Sequence, residues 1–198
     1  MSKIIPGYTK VAAGDFTQNA APGVTNVLTD SINGLNIKST NTAAGSIWEM
    51  SSLTKVAPAT PYCVTAHFIN YGNQTRLTGY GLIWRQSSDG KCHSLMNYTN
   101  ESTIAENIVF RKWSDATHPA DYSYVSNELW DPKWFRIVDD GANRISYIST
   151  DGINWKQEHS IGRTDYITAN QIGICFDPIY QTTIVLITCD HFKVDYSG

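Results

Sequence analysis

Paired carboxylates are the first residues to weigh, because two of them about 5 Å apart can attack a glycosidic bond as acid and nucleophile. Glu101 and Glu106 have a suitable spacing, with Ser102-Thr103-Ile104-Ala105 between them. The stretch from Asn97 to Glu101 reads as a loop, so Glu101 is not expected on a strand, and the pair reads as two solvated acids near a turn. No catalytic residue is expected. Glu128 and Asp131 flank Trp130, and Asp139 and Asp140 sit together in a hairpin, where acids are usually solvated or accept backbone N–H bonds. No spacing resembles a calcium loop, and no metal is expected. The histidines, His67, His93, His118, His159 and His191, are dispersed. There is no G-x-S-x-G and no phosphate loop, so no cofactor is expected.

Aromatic side chains offer a second kind of chemistry, stacking on sugar rings or filling a protein interface. Among 6 Trp and 11 Tyr, the residues bordering the turn-rich stretch 114–131 are the best surface candidates. These are Trp113, Tyr122, Tyr124 and Trp130. Trp48, Trp84 and Trp134 fall in strands, where a core role is expected.

The elements that must position these side chains read as strands. Trp134 to Trp155 is the clearest stretch, a β-meander. Trp134, Arg136 and Val138 alternate with Phe135, Ile137 and Asp139, and Asp139-Asp140-Gly141-Ala142-Asn143 turns the chain. Arg144 to Ser149 returns, with Ile145, Tyr147 and Ser149 on one face. Asp151 and Gly152 then form a structural turn, Asp151 bonding its own backbone and Trp155 packing beneath. Upstream, alternation marks strands over 35–38, 46–50, 62–70, 79–86, 91–98 and 106–113. Downstream it marks 170–177 and 182–194. Residues 62–70 are apolar on both faces and are expected to be buried on both. About a dozen strands and no convincing long helix predict an all-β, two-sheet antiparallel sandwich.

The run W-F-R-I, the D-D-G turn, Y-I-S-T-D-G-I-N-W and the later Q-I-G-I-C-F resemble jelly-roll domains of the concanavalin A-like lectin/glucanase superfamily. The likeness is carried by the last third of the chain, and in the middle third by strand pattern alone. S-x-D-G-x-x-W also occurs in β-propellers, but those would repeat it every 40 to 50 residues or so, and one copy is present. The resemblance implies a jelly roll. Laminarinase-type members of the superfamily carry E-x-D-x-x-E. Here Thr103 stands where the Asp should be, which speaks against a glycoside hydrolase.

Residues 1–30 are rich in Ala, Gly, Asn and Thr, with Pro6 and Pro22 and weak periodicity. They read as an extended N-terminal arm, followed by one jelly-roll β-sandwich domain over 31–198. Ile4, Ile5, Tyr8, Val11, Phe16, Val24, Val27 and Leu28 would dock it on a symmetry mate or a particle. The net charge of −3 with scattered Lys and Arg excludes a nucleic-acid stripe. No apolar run approaches a membrane span, and the first residues do not resemble a secretory signal peptide. Cys63, Cys92, Cys175 and Cys189 form no C-x-x-C and read as reduced, buried hydrophobes. With 17% charged residues and much Asn, Thr and Tyr, the expectation is a non-catalytic virion structural or adhesion protein, such as a phage capsid decoration or tail appendage. Its partners would be particle proteins or symmetry mates. The alternative is a carbohydrate-binding lectin-like module with glycan partners.

Overall fold

The computed structural model describes residues 10–42, 48–71, 78–99, 106–126, 132–179 and 183–196, with backbone only for 106 and 121–126. After a short 3₁₀ turn at Ala13–Asp15, the described residues form fourteen strands. In chain order they are β1 (Thr17–Asn19), β2 (Val24–Ser31), β3 (Gly34–Asn41), β4 (Ser51–Val56) and β5 (Tyr62–Asn70). Next come β6 (Thr78–Arg85), β7 (Cys92–Thr99), β8 (Glu106–Trp113), β9 (Pro119–Ser126) and β10 (Trp134–Asp139). The last are β11 (Asn143–Ser149), β12 (Lys156–Gly162), β13 (Gln171–Pro178) and β14 (Ile184–Asp195). All pairings are antiparallel. The first sheet has the order β1-β4-β13-β6-β7-β8-β9, the second β12-β11-β10-β5-β14-β3-β2.

Period-two alternation decides which side chains meet between the sheets. From the first sheet come Leu53, Tyr80, Leu82, Trp84, Leu95, Phe110, Ile172, Ile174 and Phe176; from the second, Leu35, Ile37, Val64, Phe68, Phe135, Ile137 and Ile187. Phe68, Tyr80 and Phe135 meet edge to face at 5.5 to 6.0 Å between centroids, joining the sheets near their middle. In β5 only the face of Tyr62, Val64, Ala66 and Phe68 is fully enclosed; Cys63, His67 and Ile69 are half-buried, because the second sheet's other face is open. Trp84 is a core residue, but Trp134 is half-buried on that open face, 4.5 Å from the His67 ring.

Three stretches differ from the sequence reading. The first is the arm. Val11 is buried in the core, β1 pairs with β4, and β2 pairs with β3 from Val24 to Ser31. Residues 11–31 therefore supply one edge strand to each sheet, and residues 1–9 lie outside the described ones. Their periodicity is weak because an edge strand buries only part of one face, as β2 does. The second is 114–131, where Pro119–Ser126 is a strand rather than a loop. It occupies a sheet edge, where Pro is tolerated, and two irregularities in its register with β8 break the alternation. The third is β4, which begins at Ser51; Trp48, Glu49 and Met50 precede it without being a strand.

The first sheet has a second apolar cluster on its outer face. Met50, Ile83, Cys92, Met96, Tyr98, Val109, Trp113, Cys175 and Ile179 are buried there, with Trp48 packed against them. Residues 48–50 lie over this face, held by the Met50 N–H donating to Ala116 O at 2.9 Å. Cys92, Cys175 and Cys189 are buried and free, and Cys63 is free and half-buried.

Candidate functional site

An outer sheet face normally meets water, so charged groups enclosed on it invite explanation. On β8 the outward residues are Val109, Arg111 and Trp113, and Arg111 is 2% exposed. Its guanidinium carbon lies 4.2 Å from the Trp48 ring centroid, 5.2 Å from Tyr98 and 5.4 Å from Trp113. Three aromatic rings thus enclose one cation, each attracted to it through its π face. Trp48 meets Trp113 edge-on at 6.0 Å and lies tilted to Tyr98 at 6.2 Å. The Trp113 indole N–H donates to Ser94 Oγ at 2.8 Å, which fixes that ring. Tyr98 leans across Gly79 of β6, where a Cβ would come within 2.6 Å of the ring.

Two carboxyls complete the group. Asp177, outward on β13, is fully buried, and Glu49 is 4% exposed. The Glu49 N–H donates to Asp177 Oδ1 at 3.2 Å. The second oxygen of each carboxyl, Glu49 Oε2 and Asp177 Oδ2, has no hydrogen-bond partner among the described residues. Burial pushes the Asp177 carboxyl up to about 7, against the Glu49 N–H bond and the Arg111 charge, which hold it down; the Glu49 charge raises it further. A buried acceptor without a partner costs about 1–3 kcal/mol, and more when charged. Such a site is stabilised by anything that brings hydroxyl or amide donors to it. Two carboxyls with acceptor oxygens open to a further donor, beside a guanidinium enclosed by three rings, are chemically suited to a ligand that brings hydroxyl groups.

Of the residues singled out in the sequence, Trp113 belongs to this group, but as a wholly buried wall rather than an exposed platform. Tyr122 and Tyr124 stand in β9 opposite Arg111 and Phe110, and their side chains lie outside the described residues. Trp130, Glu128 and Asp131 lie outside them too, as do Glu101 and the Glu106 side chain. Asp151 Oδ1 accepts from Ile153 N and Asn154 N, each at 2.8 Å, and from Ser149 Oγ at 2.9 Å. These bonds hold its carboxyl well below the usual range. Gly152, at φ 74°, rests on Trp134, so the ring beneath this turn is Trp134 rather than Trp155. Asp139 and Asp140 both accept backbone N–H bonds, from Gly141 and from Ala142 and Asn143 respectively, but Asp139 is not solvated. It is 1% exposed and accepts from Arg163 Nε at 2.9 and 3.1 Å, with Arg144 Nε 3.8 Å away.

Sequence reasoning missed Glu49, Tyr98, Arg111 and Asp177. One signal was present, an arginine between the apolar Val109 and Trp113 on one face of a strand.

No family model matches the chain, and no curated protein matches it in sequence. Solved structures do resemble it. A legume lectin-like domain from Entamoeba histolytica has a TM-score of 0.61 at 12% identity, over 100% of both chains. The carbohydrate binding module CBM66 from Bacillus subtilis has a TM-score of 0.54 at 8% identity, over 88% of this chain and 96% of that one. The GH43 protein BlXynB from Bacillus licheniformis has a TM-score of 0.61 at 10% identity, over 82% of this chain but 33% of its own. At these identities the likeness establishes the fold, a concanavalin A-like jelly roll, and nothing finer.

Proposed function

We propose that this chain is a carbohydrate-binding, lectin-like module that holds a glycan without cleaving it, on the outer face of the first sheet. The observation that carries this reading is the buried pair Glu49 and Asp177, each with an unsatisfied oxygen, beside an arginine enclosed by Trp48, Tyr98 and Trp113. The lectin-like and carbohydrate-binding neighbours support it, both over most of their own length. The two carboxyls accept from hydroxyls, and Arg111 with its enclosing rings holds a positive charge beside them. No step of bond cleavage is assigned to them. Such a module also suits adhesion from a virus particle, but that placement rests on the sequence reading, and none of the neighbours named above supports it.

The test is a screen of neutral oligosaccharides by calorimetry, with parallel assay of reducing ends. The expected result is binding of at least one neutral glycan, weakened about tenfold or more by Asp177→Asn or Glu49→Gln, with no new reducing ends. Loss of a hydrogen bond to a charged group, about 1.5–3 kcal/mol, sets that scale. Binding that both variants leave intact would refute the site. Cleavage abolished by Asp177→Asn would make the chain a hydrolase.

A further inference from the structure

The opposite face of the molecule carries a different constellation. Cross-strand register on the open face of the second sheet aligns Tyr147, Arg136, Thr65 and Lys193 in one row. Val138, Cys63 and Asp195 form the next row. With Trp155, all of these but the buried Thr65 line a shallow groove of about 630 Å³, within the range of about 300–1,000 Å³ usual for small-ligand sites. Arg136 is held from two sides. Its guanidinium carbon lies 3.7 Å from the Trp155 ring centroid, and its Nε donates to Thr65 Oγ1 at 3.1 Å. Its terminal nitrogens face no carboxylate among the described residues, whereas Lys193 is paired with Asp195 at 2.7 Å. The groove therefore keeps one uncompensated positive charge on a protein of net charge −3. Burial pushes the Cys63 thiol up, so it adds no negative charge beside Arg136.

We propose that this groove binds the carboxylate of an acidic saccharide, with Arg136 as its anchor. A guanidinium fixed through Nε presents its two terminal nitrogens as a planar fork, which matches a carboxylate in two parallel N–H···O bonds. Tyr147 offers a hydroxyl beside it, and the Trp155 ring supplies a wall for the sugar. The choice of a saccharide as carrier rests on the carbohydrate-binding reading; the choice of a carboxylate rests on Arg136 alone.

The test is calorimetric titration of the full chain with tri-galacturonate, its carboxyl-reduced counterpart and a sulfated neutral trisaccharide. Tri-galacturonate should bind, more weakly as salt is raised. Arg136→Gln should weaken it tenfold or more, Arg136→Lys should restore only part of that, and Asp177→Asn should leave it unchanged. Circular dichroism and thermal melting check that each variant is folded. Equal binding of the carboxyl-reduced or sulfated sugar would overturn the proposal, as would wild-type affinity in Arg136→Gln. Uronate binding through Arg136 in a protein that takes no neutral glycan would leave this groove standing and remove the first-sheet reading. Neutral-glycan binding without uronate binding would do the reverse.

Discussion

At the scale of single residues, two buried titratable groups pull stability in opposite directions. The Asp177 carboxyl is raised from 3.8 to about 7. The unfolded chain therefore loses that proton first, and the stability it contributes at low pH is lost as pH rises from about 4 to about 7. His93 is fully buried with both ring nitrogens unpartnered among the described residues, and burial followed by the Arg144 and Lys112 charges lowers it from 6.5 to about 3. Its folded form stays neutral, so the stability it contributes above pH 6.5 or so is lost as pH falls toward 3. The two slopes oppose each other between about pH 4 and 6.5. Asp177→Asn should expose the histidine slope. Urea unfolding of that variant should show stability rising by up to about 3 kcal/mol from pH 4.5 to 6.5, relative to the wild-type profile. Parallel profiles for the two proteins would rule out the raised carboxyl. Asp139 offers a second test. It is enclosed with Arg144, 1% exposed, so Asp139→Asn strands a buried cation and should cost about 3–5 kcal/mol by the same measurement.

Among the elements, the meander β10–β11 was the most legible, because strict alternation and D-D-G and S-T-D-G turns state the register twice. The structure bears out both strands and the turn, with the return strand starting one residue earlier, at Asn143, and it pairs Trp134 with Ser149 through to Asp139 with Arg144. What was misread there is side-chain partnership. The ring under Gly152 could be Trp134 or Trp155 by sequence distance, and only the curl of the chain after β11 decides. Gly152→Ala would place a methyl 2.8 Å from Trp134 Cε2 and force an L residue to φ 74°. The backbone term alone is about 1–2 kcal/mol, so denaturant unfolding should show a loss of about 2 kcal/mol or more. A neutral result would mean that Trp134 does not rest there. Strands β2 and β9 escaped notice for a common reason. Both lie at sheet edges, where half-exposure, Pro119 and register irregularities blur the period-two signal.

For the whole molecule, fold class was legible and the candidate site was not. A dozen alternating segments without helix leave few solutions besides two packed sheets. Glu49, Arg111 and Asp177, by contrast, are far apart in sequence; the order β13-β6-β7-β8 places the strands of Asp177 and Arg111 on one sheet, and the segment before β4 lays Glu49 over it. Nothing in their local patterns announces that. The same topology puts the uncompensated Arg136 on the opposite side of the sandwich, so the two surfaces are separable by observing their tryptophans. The direct measurement is the indole N–H NMR spectrum of the wild-type chain titrated with the tightest neutral glycan from the screen. The site on the first sheet predicts shifts at Trp48 and Trp113, with Trp134 and Trp155 unmoved. Saturation that shifts Trp155 or Trp134 while leaving Trp48 and Trp113 in place would contradict it.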